Sequence, residues 1–72
     1  MIPGFGAAVR RRRVALGVSQ EKLADRAGLH RTYVGDVERG LRNISLTNIV
    51  RLAAALGCRA SDLLRDAEAD EA

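Results

Sequence analysis

The residues best equipped for chemistry stand together at 31–36. Arg31, Thr32 and Tyr33 are consecutive, and Asp36 follows one helical turn after Thr32. The guanidinium of Arg31 is a planar fork of donors that fits the O6 and N7 acceptors of guanine together. Thr32 can offer a methyl to thymine or a hydroxyl to phosphate, and the Tyr33 hydroxyl can reach a phosphate. Asp36 can accept from a cytosine amine or repel a wrong register. On an ordinary surface helix the same residues would be solvated polar side chains, so the elements that carry them decide between the two readings. Catalysis has no comparable set. With one Cys, one His and scattered acids, no nucleophile–base pair, metal-ligand group or pair of carboxylates can be assembled.

The carrying elements read as two short helices joined by a glycine turn. Ser19 is an N-cap for a helix from Gln20 to about Ala27, with Gln20 and Glu21 in the first turn, where a negative side chain favours the helix dipole. Leu23, Ala24 and Ala27 share one face. Gly28 ends this helix, and a second runs from about Arg31 to Arg39, with Val34 and Val37 inward and Leu29 ahead of them. This is a helix-turn-helix, whose second helix can enter a DNA major groove with its N-terminal residues at the base edges. Gln20 at the start of the first helix fits phosphate, because helix N-termini favour anions. Arg11, Lys22, Arg39, Arg42 and Asn43 are further phosphate candidates.

Three more helices complete the chain. Residues 1–4, with Pro3 and Gly4, read as a loose start. Helix 1 runs from about Phe5 to Leu16, with Phe5, Ala8, Val9 and Leu16 inward and Gly17 as its stop. Of its four consecutive arginines, Arg10 and Arg11 point outward, whereas Arg13 lies between Val9 and Leu16 on the core side. After the loop at Leu41–Ile44, Ser45 or Thr47 caps helix 4. Its apolar residues Leu46, Ile49, Leu52, Ala53 and Leu56 recur at helical spacing before Gly57. Helix 5 is short, from about Ala60 to Arg65. The domain is expected over residues 1–66, with 67–72 an acidic tail that need not be ordered.

Several segments together resemble the lambda-repressor-like, Xre-type helix-turn-helix regulators. Ser19-Gln20-Glu21-x-Leu23-Ala24, Ala27-Gly28-Leu29 and Val37-Glu38-Arg39-Gly40 match that family's signature at its usual spacings. Leu29-His30-Arg31-Thr32-Tyr33-Val34, followed by Glu38-Arg39 and Arg42-Asn43, is most similar to the controller proteins of restriction–modification systems. The resemblance runs from about Val9 to Leu64. It implies an all-α, compact five-helix DNA-binding domain, with Gln20 binding phosphate through its backbone amide and side chain. It also implies a buried ion pair, Arg13 with Glu38, joining helix 1 to helix 3. Two positions depart from the family. Arg12 stands where an aliphatic residue is usual, its stem able to cover apolar surface. His30 stands where a Ser, Thr or Asp cap is usual.

The bulk properties agree with this reading. Seventy-two residues make one small domain, with no room for a separate effector-binding domain. Residues 1–60 carry 11 Lys+Arg against 4 Asp+Glu, a balance of +7; residues 61–72 carry 1 against 5, a balance of −4. A basic body suits a polyanion. The lone Cys58 fits a reducing cytoplasm and reads as a small packing residue. There is no apolar run of membrane-spanning length. The expected partner is a double-stranded, two-fold symmetric operator, with no cofactor, metal, membrane or small-molecule effector. One short reading helix spans too few base pairs to find a single site in a genome, so a homodimer is expected. Leu63, Leu64 and Ile44 are its candidate contacts, because adjacent leucines cannot both point into so thin a core. The competing class is an antitoxin-like helical protein-interaction module that binds a partner protein, a reading that the acidic tail keeps open.

Overall fold

Local chemistry sets where the helices begin and end. In the computed structural model, which describes residues 4–71, α1 spans Phe5–Leu16, α2 Gln20–Ala27, α3 Arg31–Glu38, α4 Leu46–Leu56 and α5 Ala60–Glu71. Residues 1–3 of the expected loose start, and Ala72, lie outside the described residues. The Ser19 hydroxyl accepts from the Lys22 amide at 3.0 Å, and the Ser45 hydroxyl from the Asn48 amide at 3.2 Å. Each satisfies an amide that the first helical turn would otherwise leave unpaired. His30 caps α3 with no side-chain hydrogen bond. Gly28 ends α2 at a φ of 69°, a left-handed conformation that a side chain would disfavour. No helix among the described residues is long and apolar enough to cross a membrane.

The inner faces meet in one core. Phe5, Val9, Leu23, Val34, Val37, Leu52 and Leu63 are fully buried, so every helix contributes at least one of them. Removing such side chains from water supplies about 1.5–3 kcal/mol each. Helix α1 is the central strut, packing against α3, α4 and α5, while α2 packs against α3 and α4. At Gly6, α1 crosses so close to α3 that a Cβ would collide with the carbonyls of Val37 and Glu38.

Below that crossing an ionic contact is drawn into the interior. Arg13 Nε donates to Glu38 Oε2 at 2.7 Å and its Nη2 to Oε1 at 3.0 Å, a two-pronged pairing of α1 with α3. Arg13 Nη1 also donates to the Val18 carbonyl, and Gln20 Nε2 donates to Glu38 Oε1 at 3.1 Å. The Glu38 side chain is only 3% exposed. Hydrogen bonding to Glu38 raises the pKa of Arg13 above its ordinary value despite the opposing cost of burial, so the cation persists at any physiological pH.

Four expectations are corrected by the packing. Leu16 is half-exposed, because the inner stripe of α1 turns polar at Arg13; it lines an open groove with Arg26, Ala54 and Gly57. Leu46 is exposed, as the first residue of α4 it overhangs the core. Helix α5 does not stop near Arg65 but continues to Glu71. Ala60, Leu63, Leu64 and Ala67 form an i, i+3, i+4, i+7 stripe, and Ala67 is fully buried, so chain assigned to the tail is partly core. The same stripe takes Leu63 out of any subunit contact and leaves Leu64 half-buried. Arg12 Nε binds Asp66 at 2.6 Å, tying the extended α5 back to α1.

Two sets of stability measurements test this packing. Glu38→Ala strands the Arg13 cation and should cost about 3–5 kcal/mol. Because Arg13→Ala removes the same contact, the double variant should lose less than the two single losses together in thermal unfolding; strict additivity would show that the pair is uncoupled. Gly6→Ala should destabilise by about 1–3 kcal/mol through the collision with α3. Gly35→Ala, also inside a helix, meets only the Gln20 side-chain end at 3.5 Å. It should raise stability by up to about 1 kcal/mol through helix propensity. A loss at Gly35 would mean that Gln20 cannot yield.

Candidate nucleic-acid interface

Helix α3 buries Val34, Gly35 and Val37 and turns its other face outward. That outer face starts with Arg31 and Thr32, both exposed, and continues through Tyr33, Asp36 and Arg39. The Arg13–Glu38 pair and the packing of Gly35 against Gln20 hold the inner side, so the orientation of the outer face is set by buried contacts. Arg31 Nη1 lies 3.3 Å from Glu21 Oε2, both side chains 67% exposed. Water screens such a pair almost completely, which leaves Arg31 available to a stronger acceptor.

Tyr33 is half-buried and held from two sides. Its hydroxyl accepts from Asn48 Nδ2 at 3.1 Å, and the Arg42 guanidinium lies 5.4 Å from its ring centroid. Asp36 is not the free acceptor expected from its position. Its Oδ1 accepts from Arg39 Nη2 at 2.7 Å and its Oδ2 from Arg42 Nε at 3.3 Å. With both oxygens engaged by cations, a cytosine amine would have to displace an arginine.

The phosphate candidates divide in two. Lys22, Arg11, Arg39, Arg42 and Asn43 are exposed. Gln20 is half-buried, with its amide donating inward to Glu38. Its side chain therefore couples α2 to the buried pair, and its backbone amide, at the start of α2, is the group left for an anion. A shallow cleft lined by Ser19, Gln20, Glu21 and Arg31 brings the starts of α2 and α3 together. Ile44 and Leu64 are half-buried. Sequence reasoning missed Asn48, whose contact with Tyr33 spans fifteen positions and has no local signal. Leu46 and Val50, one turn apart and at least half-exposed, give α4 an outward apolar face.

Burial pushes the Cys58 thiol above its ordinary pKa, only partly offset by the nearby Arg12 cation. The residue packs against the core edge, which fits a packing role.

Comparison with known proteins agrees with this geometry. The helix-turn-helix family matches residues 9–63. The control protein C.BamHI of Bacillus amyloliquefaciens is 52% identical over 61 residues, 83% of this chain and 75% of that protein. The crystal structure of the restriction–modification controller protein C.AhdI from Aeromonas hydrophila superposes with a TM-score of 0.83 at 52% identity, over 86% of this chain and 94% of that one. The DNA-binding domain of the P22 c2 repressor superposes with a TM-score of 0.82 at 26% identity, over 89% and 84% of the two chains. The chain belongs to the helix-turn-helix family of DNA-binding transcriptional regulators, with restriction–modification controller proteins among its relatives.

Proposed function

We propose that the protein acts in the cytoplasm as a homodimeric regulator that reads a two-fold symmetric operator through α3, in the manner of a restriction–modification controller. The observation that carries this reading is the exposed N-terminal end of α3, with Arg31 and Thr32 outward on a helix whose opposite face is locked by Glu38. In the major groove Arg31 donates to guanine, Thr32 contacts a neighbouring base, and Tyr33 reaches a base or phosphate. The Gln20 amide, Lys22, Arg11, Arg39, Arg42 and Asn43 engage phosphates, which set register and supply most of the salt-sensitive affinity. The antitoxin-like alternative loses its main support, since the acidic end of α5 is helical and contributes Ala67 to the core.

The dimer contact belongs on α4 rather than at Leu63. Leu46 and Val50 are 71% and 50% exposed on one face of that helix, and Ile44 and Leu64 are half-buried apolar residues able to extend the contact. A two-fold axis through this face would set the two reading helices about 34–36 Å apart, one turn of DNA. Because a dimer binds far better than a monomer, occupancy would rise more steeply than protein concentration.

Specificity and assembly are separately testable. Arg31→Ala should cost about 1–3 kcal/mol on the preferred site and relax the choice at one base pair. Lys22→Ala should weaken all sequences alike and flatten the dependence of log affinity on log salt. An unchanged ranking of operator variants after Arg31→Ala removes that residue from base reading. Val50→Glu should convert the dimer to monomer in sedimentation, with its thermal unfolding little changed. A wild-type mass near 7.8 kDa at micromolar concentration would instead defeat the free dimer.

A further inference from the structure

An acid on a surface that must approach phosphates needs a reason. Asp36 lies midway along the outer side of α3, its side chain 18% exposed, and it sits between two arginines that are 65% and 52% exposed. We propose that Asp36 is a positioning residue for DNA recognition, which holds Arg39 and Arg42 as an oriented pair of phosphate ligands and, through Arg42, sets the Tyr33 ring. The inference rests on the interface reading above.

The backbone delivers these groups to one another. Gly40, at a φ of 75°, reverses the chain after α3. The Leu41 amide donates to the Asp36 carbonyl at 2.9 Å and the Gly40 amide to the Val37 carbonyl at 3.0 Å. This is the paired bonding of a Schellman turn, and only the left-handed residue within it needs to be glycine. Asp36 thus binds the returning chain with its backbone and, through Oδ2, with its side chain. Arg42 is carried back across the Tyr33 ring, and Asn48, from the first turn of α4, donates to the Tyr33 hydroxyl. A phenol oxygen that accepts from an amide keeps its own proton for donation elsewhere, so Tyr33 remains a donor for an anion.

The arrangement leaves both arginines usable. Arg39 spends Nη2 and Arg42 spends Nε on Asp36, and the remaining N–H groups of each fork stay available for phosphate oxygens. Half-exposed ion pairs of this kind add little to stability. Their effect is to reduce the rotamer freedom that two long side chains would lose on binding. Bulk electrostatics and positioning therefore give opposite signs. Removing the Asp36 charge makes the protein more cationic and should tighten binding to any duplex, whereas losing the bracket should weaken binding where the arginines must meet defined phosphates.

The experiment measures Asp36→Asn, Asp36→Glu and wild-type affinities for a selected operator and for a random duplex of equal length. Asp36→Asn should bind the operator roughly tenfold more weakly, while binding random duplex at least as tightly as wild type. Asp36→Glu, which keeps the charge and both oxygens, should recover most of the loss. In an Arg39→Ala/Arg42→Ala background the Asp36→Asn change should shift operator affinity less than twofold. The ring resonances of Tyr33, the chain's only tyrosine, should move on Asp36→Asn with helix content unchanged, reporting the displaced Arg42 without DNA. Equal tightening on operator and random duplex would overturn the positioning role, as would an undiminished loss in the double-arginine background. A wild-type protein that does not prefer any selected site would overturn the interface reading itself, a different failure.

Discussion

The ion pair of Arg13 with Glu38 is the constraint on which the other contacts depend. Isolated charges are costly to bury, and this carboxylate is nearly inaccessible, so it tolerates its place only because Arg13 and Gln20 donate to it together. Those partners come from α1 and from the start of α2, while Glu38 is the last residue of α3. One carboxylate therefore fixes three helices relative to one another. An apolar cluster could hold them together, but it would resist rotation of α3 less, because hydrophobic contact has no direction. Hydrogen bonds to a buried charge do have direction, and α3 must not rotate if its outer face is to meet bases.

Polar contacts on the outer side of α3 continue the same logic with less burial. Asp36, Arg39 and Arg42 link the helix to the loop that follows it, and Asn48 links Tyr33 to α4. These bonds are exposed or half-exposed, so their contribution to stability is small. They act where geometry matters more than energy, on long cationic side chains that would otherwise sample many rotamers. The inner pair orients the helix; the outer network orients what the helix carries.

The far side of the molecule has a different task. A chain of 72 residues buries little surface, and α5 adds to the core through Leu63 and Ala67 while Asp66 binds Arg12. The Arg12 substitution that departs from the family pattern is thus matched by an acid on the helix that packs against it. An acidic composition at the chain's end disguises this role, because charge is read more easily than a stripe of small residues. Within that stretch Leu63 and Ala67 are fully buried, while Arg65 and Glu68 are exposed.

Much of the molecule was legible in one dimension because the physics there is local. Helix caps at Ser19 and Ser45, the glycine stops and the apolar periodicity depend on residues within one or two turns, and the first four helices appear close to where those signals put them. The family signature supplied the pairing of Arg13 with Glu38, which no spacing along the chain would have revealed. What only the tertiary structure decided concerns side chains whose partners are distant or whose helix face is ambiguous. Asp36 stands on the outward side of α3 without a free carboxylate, because the turn at Gly40 returns Arg42 to it. Leu63 and Leu64 were indistinguishable until α5 packed, and Leu46 had the right period yet stood beyond the edge of the core. Sequence determines which faces a helix has; the packing of neighbouring helices determines which part of each face meets water.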